Sequence, residues 1–382
     1  MVNGRITSDG KLVANNANGQ TVWLFSSQSR KILSHVLFKM QRKHTLSQLA
    51  ILLSRFRFLL VLLLIPATYC SAQESKPETA SISNSAIEAA FARGLDWIED
   101  NRATVQDGGF DDMIDEGVAF RFFRDHSRTV SQRERFAQLF RDQMASLYDL
   151  AEFQEWVRRP HKSLMDHYHL VLAAHLTELS GLTNPLTAVI KEQARRALAT
   201  SRLDNPSVRL TTALFLSRLD DQTRTDTESL LAASLIERIS QNRHYIALPG
   251  ADAKPNQRRT TTWLLYALVH EFVALTDFGH LPPSAWLVTR RSAVVDVLLD
   301  AVNWASAQNN RDLVAELVLT LYLLGEPLHN RLQTALDDLV RQQKPDGSWG
   351  PSGATMRPNK VRHSVLTSSA ALLVYPDWRQ KR

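Results

Sequence analysis

Two short clusters of acids and histidines carry most of the chemistry that this 382-residue chain could perform. In Phe-Asp-Asp-Met-Ile-Asp-Glu, Asp112, Asp115 and Glu116 stand at i, i+3 and i+4, so a helix places them along one side. Clustered carboxylates can bind a divalent cation, or raise one another's pKa until one serves as a general acid. Acids in a first helical turn also cap the helix and favour its dipole, which is the structural alternative. In Met-Asp-His-Tyr-His-Leu, Asp166 and His169 at i, i+3 can form an oriented acid–base pair or hold one ion. His167 and His169 lie about 200° apart around a helix and cannot share an ion from regular geometry. His167 is then a candidate to touch substrate.

Asp312 and Glu316 form a third acidic pair, at i, i+4. Asp312 suits a cap or a polar contact to substrate. Glu316 sits inside Leu-Val-Ala-Glu-Leu-Val-Leu, a charge in a run that is otherwise dry, so it needs a partner or a polar cavity. Arg209 and Arg259 fall near helix starts, where a cation opposes the dipole. Binding an anionic substrate group or pairing with acids would each explain them. His363, beside Arg362, is a further acid–base candidate. Trp263, with Tyr266, can wall a site or simply pack in a core. His175 reads as a core histidine, and the charged run over 121–141 as a solvated face. The expected catalytic set is therefore Asp112, Asp115, Glu116, Asp166, His169, Glu316 and His363, and the expected substrate contacts are His167, Arg209, Arg259, Trp263 and Asp312. No His-Glu-x-x-His, serine elbow, phosphate-cradling glycine loop or Rossmann fingerprint occurs, so no cofactor is evident beyond a divalent metal on the clustered acids.

The elements that would position these residues are helices in pairs. From residue 86 onward strand signals are almost absent. Amphipathic segments at 86–101, 132–157, 186–201, 227–241, 291–308 and 328–343 alternate with more apolar ones at 112–125, 164–180, 207–219, 259–276, 312–324 and 361–375. A helix that is apolar all round must be covered on every side. The alternation therefore predicts two layers, with the dry helices inside. Open solenoids share this pattern, but six pairs suit a closed all-α (α/α)6 toroid. Most candidate residues then lie near the starts of the inner helices, around one mouth.

The segment before residue 86 differs. Nine of the 45 Lys and Arg, but only Asp9 of the 39 Asp and Glu, fall within residues 1–72, so the rest of the chain has a slight negative balance. The basicity is thus local, and nucleic-acid binding is not expected. A basic stretch at 40–44, an apolar run at 58–65 and a small-residue site at Cys70-Ser71-Ala72 are the parts of a secretory signal peptide. Residues 40–72 are expected to be cleaved or to remain as a membrane anchor, and 73–85 to be a disordered linker before the toroid domain at 86–382. Met40 is the expected start, with 1–39 an extension of the gene model. Cys70 is the only cysteine, which excludes a disulfide framework or thiolate zinc site in the exported chain.

Between the last two helices lies Gln342-Gln-Lys-Pro-Asp-Gly-Ser-Trp349. Pro345 stops the helix, Asp346-Gly347 suits a turn with positive φ, and Trp349 can fold back as an apolar plug. Asp107-Gly-Gly-Phe110 echoes it in the first pair. This turn resembles the QW-type motif of the terpenoid cyclase and protein prenyltransferase superfamily of α/α toroids. The resemblance implies a ring with a funnel at the starts of the inner helices. It carries over no activity, because the Asp-x-Asp-Asp acid motif, the cysteine zinc ligand and the Cys-Gly-Glu-Gln thioester of related rings are all missing. Two functions stay open. One is an exported acid–base or metal-assisted enzyme acting on a polar, small-molecule or glycan-like substrate. The other is a binding or scaffolding toroid without catalysis.

Overall fold

The computed structural model describes residues 4–6, 12–15, 21–25, 82–104, 109–159, 163–200, 205–220, 227–350 and 359–380. The chain divides into two units, Met1–Ala80 and Ser81–Arg382. In the first, β1 (Gly4–Ile6), β2 (Leu12–Asn15) and β3 (Thr21–Phe25) form an antiparallel meander, with Arg5 opposite Val13 and Ala14 opposite Val22. The expected signal segment at 40–72 and most of the expected linker lie outside the described residues. Among the described residues, no helix is long and apolar enough to cross a membrane.

The second unit is helical throughout its described elements. In chain order these are α1 (Asn84–Asp100), α2 (Gly109–His126), α3 (Val130–Asp149), α4 (Ala151–Arg158), α5 (Leu164–Leu179), α6 (Leu186–Thr200) and α7 (Pro206–Leu219). There follow α8 (Thr227–Ala232), α9 (Leu235–Gln241), α10 (Pro255–Thr276), α11 (Ala285–Ala307), α12 (Arg311–Leu323), α13 (Asn330–Gln342) and α14 (Asn359–Gln380). Their starts follow local chemistry. Ser83, Thr129, Ser163, Asn205, Ser234, Ser284 and Asn310 each accept a first-turn backbone N–H. The layers follow composition. In α13 the buried Leu332, Ala335, Leu336 and Leu339 form one stripe, whereas α12 is buried from Leu313 to Val318 without a break.

The dry helices pack on one another in the order α2, α5, α7, α10, α12, α14 and back to α2, and the wetter ones lie against them. The bundle is therefore closed, and its first helix, α1, packs on its last, α14. Two expected outer helices are each broken. The stretch over 132–157 divides at Leu150, whose extended backbone ends α3 and starts α4. The one over 227–241 divides before Leu235, where the buried Glu271 carboxylate accepts the N–H groups of Leu235 and Ile236 at 2.9 and 3.1 Å. That carboxylate and the Ser234 hydroxyl satisfy the donors that a helix start leaves open.

Closure rests on the last turn and the last helix. Gly347 has φ of 87°, and a Cβ there would overlap the Arg93 carbonyl of α1. Only glycine meets both demands. Trp349 is fully buried beside Gly94, and its indole N–H donates to Leu339 O at 2.8 Å. Gln343 donates to Ala90 O at 2.7 Å, and Arg379 to Ile82 O at 2.7 Å, so two residues of the last hairpin hold the backbone of α1 and of the residue before its Ser83 cap. Arg362, 1% exposed, completes the seam. It donates to Asp112 Oδ2 at 2.7 Å and to the carbonyls of Asn101 and Arg102, and lies 3.6 Å from Glu116. Replacing Gly347 by Ala should destabilise the domain by about 2 kcal/mol or more, read from the midpoint of denaturant unfolding.

A second brace joins the inner helices nearer their C-terminal ends. Asp277, in the left-handed conformation that ends α10, is buried and accepts both terminal nitrogens of Arg121, at 3.0 and 2.8 Å. His175 Nε2 stands 2.9 Å from the same carboxylate, and Arg218 Nη1 3.5 Å. Arg121 thus belongs to the interior, not to the solvated face expected of the charged run. Its neighbours in sequence are charged, but its own turn of α2 faces the core. His175 is a core histidine as expected. Burial alone would raise the pKa of Asp277, yet His175 and Arg121 outweigh it and hold the carboxyl well below its usual range. Burial lowers the pKa of His175 against the pull of Asp277. Both shifts have one consequence for folding. A depressed carboxyl stabilises the fold above its unfolded pKa, about 3.9, and a depressed imidazole above about 6.5, and each contribution fades as pH falls further. Asp277→Ala should cost about 3–5 kcal/mol at pH 7, because it leaves the buried Arg121 without the acid that accepts both its terminal nitrogens. The gap from the parent chain should narrow below about pH 4 in chemical melts.

Candidate functional site

A cavity of about 130 Å³ lies among α2, α5, α10, α12 and α14. Most of its wall is apolar: Val118, Phe122, Leu172, Val273, Phe278 and Leu319 are typical. Its polar lining comes from Asp115, Tyr168, His270, Glu316, Thr320, His363 and Thr367. Asp115, Glu316 and His363 stand in the first two turns of α2, α12 and α14, so the closed bundle brings the starts of three helices to one charged group.

His363 is the centre of that group. Its Nδ1 is 2.8 Å from Asp312 Oδ1, and its Nε2 is 3.5 Å from Glu316 Oε1 and 3.8 Å from Asp115 Oδ2. Asp312 is held on all sides: Tyr266 donates to Oδ2 at 2.7 Å and Thr367 to Oδ1 at 2.9 Å. Glu316 is 7% exposed, and its Oε2 is buried with no hydrogen-bond partner. Asp312, Glu316 and His363 each offer a ligand atom within 4.8 Å of the others, so the group could hold a divalent metal ion.

The charges follow from burial and proximity. Burial pushes Glu316 up to about 8, helped by the negative Asp312. Burial also raises Asp115, against the pull of His363 and His169. For His363 burial works the other way, but Asp312, Asp115 and Glu316 outweigh it and hold the imidazolium well above its ordinary range. Burial likewise opposes the charge on Asp312, and His363 overcomes it and lowers its pKa. His270 is pushed down to about 4 by burial and by the positive charges of His363 and His169, so it is neutral at pH 7. Its ring lies parallel to Tyr168, with centroids 5.9 Å apart.

The remaining expected residues lie elsewhere. Asp112 and Glu116 turn into the seam: Asp112 binds Arg362, while buried Glu116 accepts Arg102 at 3.1 Å and the Ala103 N–H at 2.6 Å. On a helix they are about 40° apart, and Asp115 is about 60° from Asp112 on the other side, which is enough to separate the cavity from the seam. Asp166 belongs to a capping box with Ser163, accepting the Ser163 N–H at 2.6 Å. His169 pairs with Asp111, not Asp166: its Nδ1 is 3.0 Å from Asp111 Oδ1, which raises the imidazole despite burial. His167 is half-buried outside the cavity lining. Arg209 donates to Leu198 O at 3.0 Å and ties α7 to α6. Arg259 and Trp263 are exposed on α10, Trp263 by 48%. Two cavity residues, Tyr168 and His270, carry no spacing signal. Each sits in a mostly apolar helix, and only the packing of α5 against the rest of the ring reveals its polar neighbours.

A family described as a domain of unknown function, DUF6895, matches residues 112–365. That span runs from the Asp112 of the seam to just past His363, and so contains the whole charged group. No curated protein and no solved structure matches the chain.

The raised Glu316 and His363 predict a specific pH response. A group whose folded pKa is raised stabilises the fold below its unfolded value and loses that contribution as pH rises through the folded one. With a chelator present, these two groups should therefore add a fall in melting temperature as pH rises from about 5 to 8, opposed by the lowered His175 and His270. Glu316→Gln should flatten that fall, measured by calorimetry across the range.

Proposed function

The chain belongs to the DUF6895 family, and from the geometry of its cavity we propose that it is an enzyme of acid–base or metal-assisted chemistry on a small molecule. The observation that carries this reading is the convergence of Asp115, Glu316 and His363, from helices far apart in sequence, on one end of an apolar cavity. Burying the Glu316 carboxylate beside the other two costs stability, and a purely structural ring would be served as well by a hydrophobic residue there. The substrate would place an apolar body against the Val, Leu and Phe wall and a polar reacting group at the charged end. A glycan needs hydroxyl partners along its length, so this lining favours a less polar molecule over the glycan-like one expected from sequence. At neutral pH a protonated Glu316 can give a proton, and the His363–Asp312 pair can hold or orient charge on the reacting group.

The same proposal includes the (α/α)6 toroid of six hairpins, related at the level of fold to the terpenoid cyclases and protein prenyltransferases. The cyclic order of the dry helices and the buried Trp349 after a positive-φ Gly347 support it. It also includes export, by cleavage or retention of residues 40–72, which rests on the sequence pattern alone.

Thermal-shift screening of small molecules that join an apolar body to a carboxyl, amide or ester group tests the reading. At least one class should raise the melting temperature by several degrees. Leu319→Trp, which fills the cavity, should abolish the shift, while Arg259→Gln, exposed on α10 outside the cavity lining, should leave it unchanged. A library without any binder would favour the scaffolding alternative.

A further inference from the structure

The three acids around His363 are not equivalent, and the difference assigns them separate tasks. Each imidazole nitrogen faces its own partners. Nδ1 makes a hydrogen bond of 2.8 Å with Asp312, whereas Nε2 stands 3.5 Å from Glu316 Oε1 and 3.8 Å from Asp115 Oδ2, too far for good hydrogen bonds. Asp312 is already engaged at both oxygens, because they also accept the Tyr266 and Thr367 hydroxyls. Glu316 is not: its side chain is 8% exposed, it lines the cavity, and its Oε2 is buried without a partner. A buried oxygen left unpaired costs free energy unless something absent from the protein satisfies it.

Ligand atoms about 2.1 Å from one ion stand about 3.0 Å apart in octahedral geometry and about 3.4 Å in tetrahedral. The 3.5 and 3.8 Å separations at Nε2 lie just above that range, so a turn of the Asp115 side chain toward Glu316 would bring both carboxylates and the imidazole onto one ion. We propose that Asp115, Glu316 and His363 bind one divalent transition-metal ion through Asp115 Oδ2, the Glu316 carboxylate with its unpartnered Oε2, and His363 Nε2, and that Asp312 is an outer carboxylate that fixes the imidazole through Nδ1–H. The assignment departs from the geometric grouping of Asp312 with Glu316 and His363. A metal-bound histidine ordinarily donates its other N–H to a carboxylate, and Asp312 is placed and oriented for that task.

One imidazole and two carboxylates favour zinc, manganese or iron(II) over magnesium and calcium, which prefer oxygen alone. Three protein ligands leave at least one position open, and here it faces the cavity, where a water or a substrate oxygen would bind. An ion there would polarise that oxygen as a Lewis acid. This inference rests on the reading of the cavity as a working site, and names the cofactor of that site.

Calorimetric titration of the chelator-stripped full chain with Zn²⁺ or Mn²⁺ alone tests it, and Co²⁺ absorption reports the coordination. One ion per chain is expected, with no comparable binding of Mg²⁺. Asp115→Asn, Glu316→Gln and His363→Ala should each weaken binding by at least about 100-fold. Asp312→Asn should weaken it by about 10- to 100-fold while keeping the stoichiometry and the visible spectrum of the Co²⁺ form. Circular dichroism on every variant excludes unfolding, and the two isosteric amides keep the test valid if His363→Ala does not fold. The assignment is overturned if the parent chain binds no ion, or if Asp312→Asn abolishes binding while Asp115→Asn leaves it unchanged. A chain that binds no ion, yet is still stabilised by small molecules in chelator, overturns the ligand set and leaves the reading of the cavity standing.

Discussion

Arg362 is a buried guanidinium with one carboxylate at 2.7 Å, a second at 3.6 Å and the carbonyls of the first connecting loop around it. A buried charge of this kind tolerates little movement, since any gap would leave it unpaired in a poorly polarisable surrounding. It therefore fixes how α14 meets α2. That register in turn decides where His363, the next residue, points. The seam and the site share neighbouring residues on both of these helices: Asp112 and Glu116 serve closure while Asp115 serves the cavity, and Arg362 serves closure while His363 serves the cavity. The rigidity demanded by one is lent to the other, which is how a site built from distant segments can hold its geometry.

The two ionic centres of the domain differ in a way that bears on function. Around Asp277 one acid sits among two arginines and a histidine, and both its oxygens are bonded within 3.0 Å, the atoms left without a hydrogen bond being Arg121 Nε and Arg218 Nη1 on the cationic side. That arrangement ties α2, α5, α7 and α10 and holds a fixed charge state. Around His363 three acids share one imidazolium, and one carboxylate oxygen has no partner. Protons there are divided among several groups in competition. The first centre has the character of a strut, the second of a place where a proton or an ion can be exchanged.

How much of this was legible in the sequence depends on range. The helical character of the second unit and the division into dry and wet helices follow from composition, so both could be read, whereas the breaks at Leu150 and before Leu235 could not. The Asp346-Gly347-Ser348-Trp349 turn could be read as well, because a positive-φ glycine and a buried indole leave a local mark. Glu316 was identifiable as a lone charge in a dry run. The partners were not. Asp111 rather than Asp166 pairs with His169, because the capping box claims Asp166 locally while the packing of α2 against α5 supplies Asp111. The burial of Arg121 could not be seen in a run of charges, since its turn inward depends on an aspartate 156 residues later. Spacing identifies which residues share a helix face, and only tertiary packing decides what that face meets.

The position of α14 has a consequence for how the molecule is made. It is the last of the described helices, and it supplies both the guanidinium of the seam and the imidazole of the charged group. A chain emerging from the ribosome can pair α2 with α5, and α5 with α7, long before α14 exists, yet Asp112, Glu116 and Glu316 then have no cation from α14 to offset them. The seam and the charged group are therefore completed only when the final hairpin docks. A chain that ends before residue 359 carries neither the guanidinium of Arg362 nor the imidazole of His363.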